Sequence, residues 1–67
     1  MKITVEEVPY VNGKRKFEVI VDDKRYTCYI HPFMWEGFSV CTGNGKLPEC
    51  KDITDTELGW KIRTACG

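Results

Sequence analysis

From Ile3 to His31 the chain alternates apolar and polar positions in three runs, one ending in VPYV, a second reading KRKFEVIV and a third ending in CYIH. Period-two alternation is the pattern of half-buried β-strands. Asn12-Gly13 between the first two runs is a strong hairpin signal, because a type I′ turn needs left-handed backbone at both central residues. Pairing around it sets Val11 opposite Lys14, Tyr10 opposite Arg15 and Val8 opposite Phe17. Carried further, that register would put Glu6 opposite Val19. One extra residue at Glu6-Glu7 repairs it, bringing Val5 opposite Val19 and Ile3 opposite Val21, so a β-bulge is predicted there. A two-residue turn at Asp23-Lys24 then places Val21 opposite Tyr26, Val19 opposite Cys28 and Phe17 opposite Ile30. Glu18, Ile20, Arg25, Thr27, Tyr29 and His31 fall on the opposite face.

After Pro32 the alternation weakens. Phe38-Ser39-Val40-Cys41-Thr42 reads as a short fourth strand, and Gly43-Asn44-Gly45-Lys46 and Leu47-Pro48 carry turn chemistry. The tail from Ile53 satisfies two periods. Thr54 with Glu57 three residues on forms a capping box, and Leu58, Ile62, Ala65 and Cys66 share one helical face. Leu58, Trp60 and Ile62 also alternate as a strand would. The cap and the terminal Gly67 favour helix. That choice leaves Trp60 off the buried stripe and places Gly59 in the helix at a cost of up to about 1 kcal/mol relative to Ala. A single-layer sheet must bury its apolar face against something. The prediction is an α+β fold: a three- to four-stranded antiparallel meander covered on one face by a C-terminal helix, residues 1–67 forming a single domain.

The same tail bears a resemblance. Thr-Asp-Thr-Glu-Leu-Gly, residues 54–59, opening a final amphipathic helix, resembles the closing helix of small contact-dependent-inhibition immunity proteins. It covers about one tenth of the chain. The resemblance implies a toxin-neutralising binder of a protein partner. Separately, no cofactor is expected.

Sixty-seven residues bury only about 60 % of the surface of the unfolded chain, so most large side chains are needed for the core. Ten basic and ten acidic residues cancel, and nothing in that balance pulls the protein toward nucleic acid or an anionic membrane. The apolar runs, such as Val19-Ile20-Val21, are far too short to span a bilayer. The MKITVEE start lacks the apolar stretch of a secretory signal, and a cytoplasmic location is expected.

Cytoplasmic thiols are ordinarily reduced, which is the first reading of Cys28, Cys41, Cys50 and Cys66. If they are oxidised, the preferred pairs are Cys28 with Cys66, joining sheet to helix, and Cys41 with Cys50, closing the Gly-rich loop. Cys28-x-x-His31 holds two good zinc ligands, and an alternative metal set would be Cys28, His31, Cys41 and Cys50. Residues three apart on a strand point to opposite faces, which argues against both a shared metal and a Cys/His nucleophile pair. One histidine and no convergent acid–base pattern predict no enzyme.

Lys14, Arg15, Lys16, Lys24 and Arg25 are the alternative contacts for a nucleic acid. The two clusters sit at opposite ends of the second strand, roughly 26 Å apart, with acids between them, whereas phosphate binding wants one contiguous patch. Phe33, Met34, Trp35 and Phe38 lie on or beside the loop after Pro32 and cannot all turn inward. With Tyr29 and Trp60 they form the candidate partner-binding set, since exposed apolar patches mark interaction surfaces. The functional expectation is a small protein-interaction module of the immunity, phage or mobile-element inhibitor type, acting as a monomer or as a homodimer through a sheet edge. Alternatives are a nucleic-acid-binding domain and a metal- or disulfide-stapled mini-domain.

Overall fold

The structure, a computed structural model, describes residues 1–44 and 50–67. The turn expected at Gly45, Lys46, Leu47 and Pro48 lies outside the described residues. Among the described residues four antiparallel strands, β1 (Ile3–Val11), β2 (Lys14–Val21), β3 (Lys24–Ile30) and β4 (Phe38–Thr42), pair in chain order, and one helix, α1 (Glu57–Ala65), follows. This is the α+β meander with a C-terminal helix packed on it that the alternation predicts.

The first hairpin turns on Asn12 and Gly13, at φ 54° and 75°, the backbone of a type I′ turn. Ile3 pairs with Val21 and Val5 with Val19, as expected, but Val8 lies opposite Lys16 rather than Phe17. The irregularity falls between Val8 and Val11, not at Glu6-Glu7. Proline explains the displacement. Pro9 has no N–H to give the ladder and is tolerated in a sheet at edges and bulges.

The second turn also moves by one residue. Asp22 and Asp23 occupy it with φ of 46° and 75°, because Asp tolerates left-handed backbone far better than Lys does. Val21 therefore faces Lys24, Val19 faces Tyr26 and Phe17 faces Cys28. A two-residue slip preserves which face each side chain occupies. Phe17, Val19, Val21, Tyr26, Cys28 and Ile30 are all buried on one side, closed by Val40 and Ile62, with Ile3, Val5, Phe38, Ile53, Leu58 and Cys66 around them.

Residues 51–54 run along the outer edge of β4. Thr42 N–H donates to the Lys51 carbonyl (2.9 Å), Ile53 N–H donates to the Val40 carbonyl (2.8 Å), and Cys41 bridges to Asp52. The Thr54 hydroxyl accepts from Val40 N–H at 2.9 Å. Thr54 is thus spent on the sheet edge, and Thr56 caps α1 in its place, its side chain accepting from Gly59 N–H at 3.0 Å. The buried stripe of α1 is correspondingly rotated. It consists of Gly59, Ile62 and Arg63, with Cys66 against the core, while Ala65 is exposed. Among the described residues no helix is long and apolar enough to cross a membrane.

Candidate protein-binding surface

The loop from Pro32 to Gly37 is built tightly. His31 N–H donates to the Gly37 carbonyl and Gly37 N–H to the Met34 carbonyl (3.1 Å). A Cβ on Gly37 would lie 2.8 Å from the His31 Cβ, so the closure requires glycine. Phe33 N–H donates to His31 Nδ1 at 3.1 Å, fixing that ring nitrogen as an acceptor. The loop consequently projects Phe33, 90 % exposed, together with Met34.

Trp35 turns the other way, against α1. Its ring stacks on Trp60 with centroids 5.4 Å apart and planes 29° apart, and Phe38 meets both edge-on at 5.9 and 5.1 Å. The Arg63 guanidinium lies over Trp35, 4.4 Å from the ring centroid, and its Nε–H donates to the Trp35 carbonyl at 3.2 Å. Arg63 is only 3 % exposed. Its Nη1 is buried without a hydrogen-bond partner, and among the described residues it is the single such side-chain atom. A desolvated cation over an indole face gains about 2 kcal/mol or more, which offsets part of burying that charge. This arrangement packs Trp35 and Trp60 against each other, Phe38 and Arg63 while leaving them 42 % and 44 % exposed. The result is an aromatic floor beside the protruding Phe33 and Met34.

Tyr29 does not belong to this surface. It pairs with Ser39 and Lys16 on the opposite face of the sheet, where Lys16 Nζ lies 5.8 Å from its ring centroid. Alternation puts it there, since Cys28 and Ile30 on either side face the core. Trp60, by contrast, joins Trp35 from a distant part of the chain. Arg63 was absent from the residues singled out above. Counting the helical stripe from Gly59 rather than Leu58 reaches it, because Gly59, Ile62, Arg63 and Cys66 follow the i, i+3, i+4, i+7 pattern.

The four candidate metal ligands are not assembled. Cys28 is in the core and His31 is at a strand end. Among the described residues no three His, Cys, Asp or Glu side chains cluster to hold a metal. All four cysteines are free thiols, and each stands beside the partner expected for it. Hydrogen bonding to the Cys66 sulfur, reinforced by burial, pushes the Cys28 thiol far up. The same contact draws Cys66 down, with help from Arg63 and against the effect of burial. On the other face, burial and then Cys50 push Cys41 up to about 11.

The basic residues do not merge into one patch. Arg15 is held by Glu7 through two hydrogen bonds of 2.8 and 2.9 Å, which keep the Glu7 carboxyl below its ordinary range. Lys16 points to the other face over Tyr29, and Lys24 and Arg25 lie at the far end of β2–β3. No protein-family model matches this chain, and neither a curated protein nor a solved structure matches it.

Proposed function

We propose that this domain is a small protein-interaction module that binds and neutralises a protein partner through the seam between the Pro32–Gly37 loop and α1. The observation that carries the reading is the stacked Trp35–Trp60 pair, packed against Arg63 and Phe38 yet left nearly half exposed beside Phe33. Rigid aromatic side chains supply large contact area at small entropic cost and dominate interface hot spots. A domain with so little material for its core has strong reason to bury two tryptophans, and their exposure is what a docking surface would require.

In this reading Phe33 and Met34 insert into an apolar pocket of the partner, and Trp35 and Trp60 form the floor on which its rim rests. The neutralising role rests on the resemblance of residues 54–59 to immunity proteins and is the finer part of the proposal. The role is one of binding rather than catalysis: Cys28 and His31 are separated, and His31 Nδ1 is occupied by Phe33 N–H.

The test is affinity capture with the wild-type domain and Phe33→Ala, both shown folded. Phe33→Ala is expected to weaken capture at least tenfold, the loss of a hot-spot anchor. Doubling the salt concentration is expected to leave capture nearly unchanged. Equal capture by Phe33→Ala would sink the site assignment. A steep loss with salt would point instead to phosphate contacts.

A further inference from the structure

The chain has one histidine, and it stands where the candidate docking loop leaves the sheet. His31 follows β3 directly, and its half-buried side chain reaches two residues on, Nδ1 accepting from Phe33 N–H at 3.1 Å. Asn and Asp side chains make the same bond to the backbone two residues on when they open a turn. A histidine in that role differs in one respect, since its acceptor can be taken by a proton. The His31 and Phe33 rings also meet edge-on, with centroids 6.1 Å apart and planes 65° apart. The imidazole thus touches both the backbone and the ring of the most exposed side chain in the loop.

We propose that His31 is a proton-controlled latch on the Phe33 anchor, closed when the imidazole is neutral and released when it is protonated. Its consequence for binding rests on the docking surface proposed above. A backbone N–H only donates, so the closed loop needs a bare lone pair on Nδ1, and in the neutral ring the proton then sits on Nε2. Imidazolium carries a donor at both positions. Nδ1–H and Phe33 N–H then face each other as two donors, and the bond is lost. Histidine is the side chain whose charge ordinarily changes between about pH 5 and 8.

The release is confined to the tip of the loop. His31 N–H still donates to the Gly37 carbonyl and Gly37 N–H to the Met34 carbonyl, and neither bond involves the imidazole. Trp35 keeps its stack on Trp60 and its contact with Arg63. Acid therefore frees Phe33 while the aromatic floor stays in place. The ionisable groups around the ring come from several elements. Tyr29 precedes His31 by two residues, and Lys16 of β2 lies over the Tyr29 ring, with Lys14 two residues along the same strand. Arg15 sits over Phe17 on the core side and is tied to Glu7. Glu36 belongs to the loop itself, and α1 brings Arg63, which donates to the Trp35 carbonyl. From β4 come Phe38 and Ser39, opposite Ile30 and Tyr29, both uncharged. The acceptor of Phe33 N–H is the imidazole rather than any of these groups, so its loss follows the protonation of His31.

The first measurement needs no partner. NMR follows the Phe33 amide and the His31 ring in the free protein from about pH 8 to about pH 5. The Phe33 amide is expected to shift in step with the imidazole. In His31→Asn it is expected to stay put, because Asn keeps an acceptor for the N–H and takes up no proton. A wild-type Phe33 amide that stays put while the imidazole titrates fully would overturn the latch, whether or not His31→Asn folds. Capture of the partner is then compared at the two ends of that range, at constant salt. One hydrogen bond of ordinary strength is a factor of roughly two to twelve, so wild-type capture should fall about three- to tenfold further than that of His31→Asn. Equal falls, with the amide shift present, would overturn the control of docking. Equal capture by wild type and Phe33→Ala at the upper end would instead sink the docking surface, and the NMR titration would still decide the latch.

Discussion

Gly59 shows how one residue can be required against its own propensity. In an exposed helix interior, replacing Gly by Ala gains about 1 kcal/mol. Here a Cβ would come within 2.2 Å of the Ile53 carbonyl oxygen and 2.9 Å of that of Thr54, both backbone atoms that cannot step aside. Gly59→Ala should therefore destabilise the domain by about 1–3 kcal/mol, the usual cost of overpacking, seen as a lower urea midpoint. A stabilised variant would mean that α1 does not approach residues 53–54 this closely. Phe33 is the opposite case. At 90 % exposure, Phe33→Ala should leave stability within about 0.5 kcal/mol while removing the proposed binding anchor. Pro9 and the Asp22-Asp23 pair belong with these residues, each moving an irregularity by one or two positions for reasons internal to its own backbone.

Among the elements, the junction between β4 and α1 carries the most consequence. Two threonines two residues apart do different work. Thr56→Ala removes the helix cap and should cost about 1 kcal/mol. Thr54→Val strands the N–H of the buried Val40 and should cost about 1–3 kcal/mol. Thermal unfolding of the two variants checks the ranking. Asp52 adds a pH signature, because hydrogen bonds from the Thr54 hydroxyl and backbone N–H hold its carboxyl below the ordinary value. A depressed folded pKa contributes stability that is present above the unfolded value and is lost as pH falls through the folded one. Asp52→Asn should therefore be the less stable protein at neutral pH and converge on the wild type in acid. A constant difference across that range would contradict the assignment.

The strands were legible in the sequence because alternation and left-handed turn residues are local signals. Face assignment survived errors in register, since the second turn slipped the pairing by an even number of residues. The helix was legible in kind but not in rotation. Thr54 and Thr56 both offer a cap followed by acidic and apolar residues, and only the pairing of residues 51–54 with β4 decides between them. The proposed binding surface was half visible for the same reason. Phe33, Met34, Trp35 and Phe38 announce themselves as a cluster in sequence. The stack of Trp60 on Trp35 and the burial of Arg63 are long-range contacts that only the packing of α1 creates.

For the molecule as a whole, the sheet bears on assembly. Residues 51–54 occupy the outer edge of β4, and among the described residues β1 is an open edge, interrupted near Pro9 and carrying Glu6 and Glu7. Such features discourage strand addition by another chain.

The central claim, that the Trp35–Trp60 seam is where a partner docks, is tested most directly by quantitative capture with three single variants whose folding is checked first. Phe33→Ala and Trp60→Ala alter the seam, and Tyr29→Ala alters the opposite face of the sheet. The account predicts at least a tenfold loss of captured partner for the first two and near wild-type capture for Tyr29→Ala. Retained capture by Phe33→Ala and Trp60→Ala, with loss confined to Tyr29→Ala, would contradict it.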